Sequence, residues 1–117
     1  MSKMISSRNN KTIVRNLEIA SSMKTRLIGL MGRARFLDGD GILIKRSGNS
    51  IHTCFMKFAI DVAFVSTDGK VVYIKENIKP WRMVVAPVLK YTDCLEMPAG
   101  TVKQNDIQIG DILRVEN

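Results

Sequence analysis

Asp68-Gly69 lies between two apolar runs, Ile60 to Val65 and Val71 to Ile74, and this arrangement constrains the fold more than any other feature. An Asp-Gly step between β-forming runs is the strongest short-range hairpin signal, because tight turns of the primed type need positive φ angles. The two runs are therefore expected to pair antiparallel. Ile60 to Val65 is apolar almost throughout, as in a strand covered on both faces. Asp61 is the exception, and a carboxylate there must be paired, with Arg33 or Arg26, or lie at the open end of the strand.

Other β signals flank this hairpin. Lys11 to Ile19 has enough β-branched residues for a first strand or two short ones. Asp38-Gly39-Asp40-Gly41 reads as a turn into Ile42-Leu43-Ile44. Ser47-Gly48-Asn49-Ser50 is expected to fold the chain back into a strand from Ile51 to Lys57, giving a second hairpin. Pro80 and Pro87 bracket a segment with no clear pattern. Tyr91 to Met97 reads as a strand ended by Pro98-Ala99-Gly100. Thr101 to Asn105 follows as one helical turn, capped by Thr101 or its neighbour, and Gly110-Asp111 turns into a closing strand, Ile112 to Glu116.

One helix is expected, from about Ser22 to Met31. Ser21 or Ser22 supplies the N-cap, and Met23, Leu27, Ile28, Leu30 and Met31 gather on one side. Lys24 and Arg26 take the other side, and Gly32 provides the left-handed stop. Seven or so short strands with one amphipathic helix predict a mainly β fold, an antiparallel barrel or sandwich. Met1 to Asn10 is expected as a disordered leader, and residues 11–117 as one β-rich domain. A chain of 117 residues removes roughly two-thirds of its unfolded surface from water without disulfide or metal.

The motifs resemble a known family. Arg26-Leu27-Ile28-Gly29-Leu30-Met31-Gly32-Arg33, Met56-Lys57 followed by Ile60-Asp61-Val62, and Asp68-Gly69-Lys70-Val71-Val72 occur in order. Leu95-Glu96-Met97-Pro98-Ala99-Gly100 and Gly110-Asp111 complete the set. Over roughly residues 12–116 the chain resembles the domain of unknown function 192, an uncharacterised bacterial and archaeal family. The resemblance implies a compact β-rich fold with a short helix, and no reaction. Many such relatives carry an export signal and a tryptophan before the methionine, where this chain has Phe55.

The net charge of +7 is unevenly placed. Residues 1–35 hold eight Lys and Arg against one acid, Glu18, while the remainder balances. Lys24, Arg26, Arg33 and Arg35 are the candidate contacts to nucleic acid. The aromatics make up only 6% and are scattered, so no stacking platform is legible. The polar start and the absence of a long apolar run predict no export signal or membrane span, and a cytoplasmic location.

His52, the single histidine, precedes Cys54 by two residues, and on a strand His52, Cys54 and Met56 would share a face. A cysteine nucleophile would pair His52 with Cys54 or Cys94, oriented by Asp61 or Asp93. Neighbours two apart on a strand stand about 7 Å apart at their α-carbons, so a cross-strand pair of His52 with Cys94 would be closer. The competing reading is two reduced, mostly buried thiols. One histidine and two separated cysteines do not make a zinc set, and Asp38-Gly39-Asp40-Gly41 lacks the Lys-Ser pair of a phosphate loop. No metal and no cofactor are expected. Trp81-Arg82 with Lys79, and with His52, Asp61 and Arg33, are the candidate rim of a polar cleft, since Trp and Arg are favoured in binding hot spots. These residues predict a non-enzymatic module for a small ligand, peptide or partner protein. The alternatives are a small hydrolase using His52 with a cysteine or Asp61, and a basic nucleic-acid-associated protein.

Overall fold

In the computed structural model, which describes residues 2–21, 36–87 and 92–117, Asp68-Gly69 joins β5 (Ile60–Ser66) to β6 (Val71–Ile78) as an antiparallel hairpin. The turn is not of the primed type. The Gly69 amide donates to the Ser66 carbonyl at 2.9 Å, and only Gly69 takes a positive φ, of 95°. Thr67 and Asp68 keep negative φ, so the loop is a tight turn followed by a left-handed glycine. The Ser66 hydroxyl donates to the Asp68 carboxylate, and this bond leads in holding Asp68 below the usual carboxylate range.

The main sheet has seven strands. The others are β1 (Ser2–Ser6), β2 (Lys11–Ala20), β3 (Asp40–Ile44), β8 (Thr92–Pro98) and β9 (Leu113–Glu116), in the order β6-β5-β8-β3-β2-β1-β9. A separate ribbon pairs β4 (Ser50–His52) with β7 (Met83–Val85). A four-residue helix, α1 (Thr101–Gln104), follows β8. The fold is mainly β, as expected, and the large sheet curls into a half-barrel.

Three expectations are corrected. Residues 2–6 are not a disordered leader; β1 lies between β2 and β9 and buries Met4 and Ile5. The sheet is not wholly antiparallel, because β2 and β3 run parallel, which needs a crossover of a dozen or more residues. The chain between them includes the expected helix at about 22–31, which lies outside the described residues, as do Lys24, Arg26, Arg33 and Arg35. The third correction concerns Ser47 to Ser50, which forms no hairpin between β3 and β4. Both edges of β3 are taken by β2 and β8, and Thr92 holds the turn by donating its hydroxyl to the Gly48 carbonyl at 2.5 Å. The cap of α1 is Gly100, the neighbour of Thr101, and it contributes no side chain.

Two apolar layers hold the sheet. One draws Met4, Val14, Leu43, Val65, Val71, Leu95 and Leu113 from all seven strands, which only the concave side of a curled sheet permits. Val102 of α1 and Ile107 just after it complete that layer. The second covers the outer face of β3, β8 and β5, where Ile42, Ile44, Phe64 and Cys94 meet Ile51 and Val84 of the ribbon. The central strands are thus buried on both faces, which explains their continuous apolar runs.

The ends of the sheet meet near the hairpin turn. Lys70 bridges Ile112, and the Leu113 amide donates to the Gly69 carbonyl at 2.8 Å. A β-carbon at Gly69 would collide with the Leu113 carbonyl oxygen. Glycine is required there twice over, by φ and by the approach of β9. Arg8 fastens the same seam, its Nε donating to Asp111 Oδ1 at 2.8 Å while the Gln108 amide donates to Oδ2. Desolvation pushes the buried Asp111 carboxyl up. The Arg8 bond, the Gln108 amide and the Arg8 charge together outweigh it and hold the group below its ordinary range.

Candidate functional site

The ribbon presents two unlike faces because strand side chains alternate. Ile51 and Val84 stand opposite each other and turn into the core. His52 stands opposite Met83, and Ser50 opposite Val85, on the outer face. Met83 is 72% exposed and Val85 60% exposed. β4 alternates, with polar Ser50 and His52 outward, but β7 is apolar on both faces and leaves Met83 and Val85 uncovered.

At one end the ribbon runs into two turns locked together by Thr53. Its fully buried hydroxyl donates to the Lys79 carbonyl at 2.6 Å and accepts from the Arg82 amide at 2.9 Å. Its backbone amide donates to the Arg82 carbonyl at 2.8 Å, and its carbonyl accepts from Trp81 at 3.1 Å and Met56 at 3.2 Å. Across this junction Phe55 takes φ 67° and Trp81 φ 64°. Positive φ is an outlier for bulky side chains and costs about 1–3 kcal/mol. The left-handed step drops Met56 into the core while Phe55 stays 56% and Trp81 59% exposed. Their ring centroids lie 4.7 Å apart with planes inclined at 60°, a tilted aromatic pair.

Beside this ridge is a cleft of about 240 Å³ lined by Lys75, Asn77, Lys79, Arg82 and Met83. Its wall is shaped by a bulge in β6, where Ile60 pairs with Ile78 but Val62 pairs with Lys75. Asp61 holds that bulge. It is fully buried; Oδ1 accepts from Asn77, and Oδ2 from Gly100 and Val102, at 2.8–3.0 Å. Asp61 therefore shapes the cleft and anchors α1 without facing a ligand.

His52, Trp81 and Arg82 are brought together at one end of the ribbon. Arg82 folds its guanidinium over the turn, donating to the Pro80 and Trp81 carbonyls at 3.4 Å. The expected strand from Ile51 to Lys57 ends at His52, so Cys54 lies on a turn instead of sharing a strand face with it. The Cys54 backbone amide donates to His52 Nδ1 at 3.3 Å, which puts the proton of a neutral ring on Nε2. Cys94 is fully buried on β8 between Ile44 and Phe64. As β8 pairs with β3 and β5, His52 and Cys94 are not cross-strand neighbours. Neither Cys54 nor Cys94 forms a disulfide. Among the described residues no three His, Cys, Asp or Glu side chains gather as metal ligands. Arg33 lies outside the described residues.

Phe55, Thr53, Met83, Val85 and Lys75 were not legible as site residues. Met83-Val84-Val85 reads as a plain apolar run, and nothing local marks Phe55 and Trp81 as neighbours. A second cavity of about 240 Å³ lies at the closing end of the half-barrel. Its lysine, Lys45, is already paired with Asp93 at 2.8 Å.

Fold and surface together define a small curled β-sheet protein with an exposed aromatic ridge on an outlying ribbon. The chain belongs to the DUF192 family, described as an uncharacterized ACR, whose model matches residues 4–115. It is 35% identical over 68 residues to the UPF0127 protein PF1050 of Pyrococcus furiosus, a match spanning 58% of this chain and 57% of that protein. A crystal structure from Sinorhizobium meliloti 1021, of a candidate transcription regulator, has a TM-score of 0.80 at 24% identity, covering 97% of this chain and 91% of that one. A protein of unknown function from Novosphingobium aromaticivorans DSM 12444 also has a TM-score of 0.80, at 21% identity over 97% of this chain and 82% of that one. These two likenesses concern the fold. Among the described residues no helix is long and apolar enough to cross a membrane.

Proposed function

We propose that the protein is a non-enzymatic binding module that captures a peptide segment of a partner protein on the ridge of Phe55, Trp81, Met83 and Val85. The observation that carries this reading is the left-handed backbone of both aromatics. Two rings kept more than half exposed at positive φ cost conformational energy and recover little of it by burial. Such a feature is retained more readily where a partner covers the rings. Trp and Arg are also the residue types that carry most binding energy, and Phe and Met are enriched at interfaces.

The full chain can be screened against a displayed library of random peptides, and enriched peptides titrated through the emission of Trp81, the only tryptophan. The expected result is a blue shift of that emission on binding, with affinity falling roughly thirtyfold in Phe55→Ser, as for a hot-spot residue. Peptides that bind without changing the emission and bind Phe55→Ser equally well would sink the reading.

A further inference from the structure

We infer that the segment bound on the ridge is acidic, with its apolar side chains on Phe55, Trp81, Met83 and Val85 and its carboxylates in the cleft beside them. This rests on the ridge being a docking surface and adds the chemistry of what docks. The cleft is lined by three cations, Lys75, Lys79 and Arg82, with Asn77 as a further donor. Among the described residues none of the three cations forms an ion pair. By contrast Lys45, which lines the cavity at the closing end of the half-barrel, is neutralised by Asp93. Covering the cleft with a neutral chain would strip water from three positive groups and return nothing. A carboxylate-bearing segment supplies the missing charge, and Asn77 offers an amide donor besides.

The geometry favours a peptide over the other anionic polymers. Bases stack on parallel aromatic faces, but here the two rings pack against each other at 60°, and the rest of the ridge is aliphatic. A bilayer meets a protruding apolar tip ringed by cations, whereas these cations lie in a recess to one side of the ridge. Alternating apolar and acidic side chains of an extended peptide point to opposite sides, which suits a ridge flanked by a basic cleft.

The test compares the displayed random-peptide library on the wild-type full chain and on Lys75→Glu/Lys79→Glu/Arg82→Glu, whose three sites are all exposed. The wild type is expected to enrich peptides with Asp or Glu beside apolar residues, and to lose affinity for them roughly tenfold from low to high salt. The charge-reversed variant is expected to enrich Lys- and Arg-bearing peptides instead. Enrichment of neutral apolar peptides by both proteins overturns the acidic partner and leaves the ridge reading intact. Equal enrichment by Phe55→Ser overturns the ridge itself. Oligothymidine or phosphatidylserine vesicles serve as further probes. Binding of either by the wild type, lost on charge reversal while no peptide is enriched, overturns the peptide in favour of that anion.

Discussion

Thr53 has no charge and no exposure, yet it fixes where every side chain of the ridge points. Its hydroxyl bridges the Lys79 carbonyl and the Arg82 amide, so the turns bearing Phe55 and Trp81 cannot move independently. Thr53→Val keeps the shape and β-branching while leaving both backbone groups short of a partner. It is expected to cost about 1–3 kcal/mol in urea unfolding, the usual penalty for unsatisfied buried groups. A structural keystone alone would show only that loss. If the hydroxyl also holds the ridge, the emission of Trp81 shifts in the folded variant, because the ring leaves its packing against Phe55. Unchanged emission and unchanged stability together would remove Thr53 from the account. Nothing in the sequence singles out this threonine. Its partners are twenty-six and twenty-nine residues away, and backbone partners leave no side-chain signature.

At the scale of elements, Asp61 joins three of them, tying β5 to the bulge of β6 and to the start of α1. The sequence showed that a carboxylate inside an apolar strand must be satisfied. It did not show by what, and arginine was the natural expectation. Backbone amides do the work instead, from Asn77, Gly100 and Val102. Asp61→Asn replaces an acceptor oxygen by a donor facing an amide, and is expected to cost about 3 kcal/mol. Hydrogen exchange should show the loss concentrated at Gly100, Val102 and Asn77; uniform loss across the sheet would argue against a local anchor. The hairpin of β5 and β6 was legible because Asp68-Gly69 and its flanking runs are local. The hairpin expected at Ser47 to Ser50 was not formed, because non-local pairing with β2 and β8 had claimed both edges of β3. The ribbon of β4 and β7 was illegible for the same reason, since its strands are three residues each and some thirty residues apart.

For the molecule as a whole, closure of the sheet matters most, and it depends on residues from both ends of the chain. β1 is the strand through which β9 joins the sheet, and Arg8, just beyond it, clamps Asp111 in the turn leading to β9. A basic, polar start looked dispensable by composition, because composition does not register a strand whose buried apolar residues, Met4 and Ile5, are so few. The clamp has a pH signature. The Asp111 carboxyl is held below its ordinary range in the folded protein, so folding favours its ionised form. The stability from this group is complete above the unfolded carboxylate value of about 4 and disappears as pH falls through the lower folded value. Arg8→Met should therefore be less stable than the wild type at neutral pH, with the gap closing in that acid window. Urea midpoints measured from pH 7 downward check this directly. A gap that persisted unchanged below the folded-state titration would mean that Arg8 stabilises through its bond to the Asp106 carbonyl and the packing of its stem, and not through the Asp111 charge.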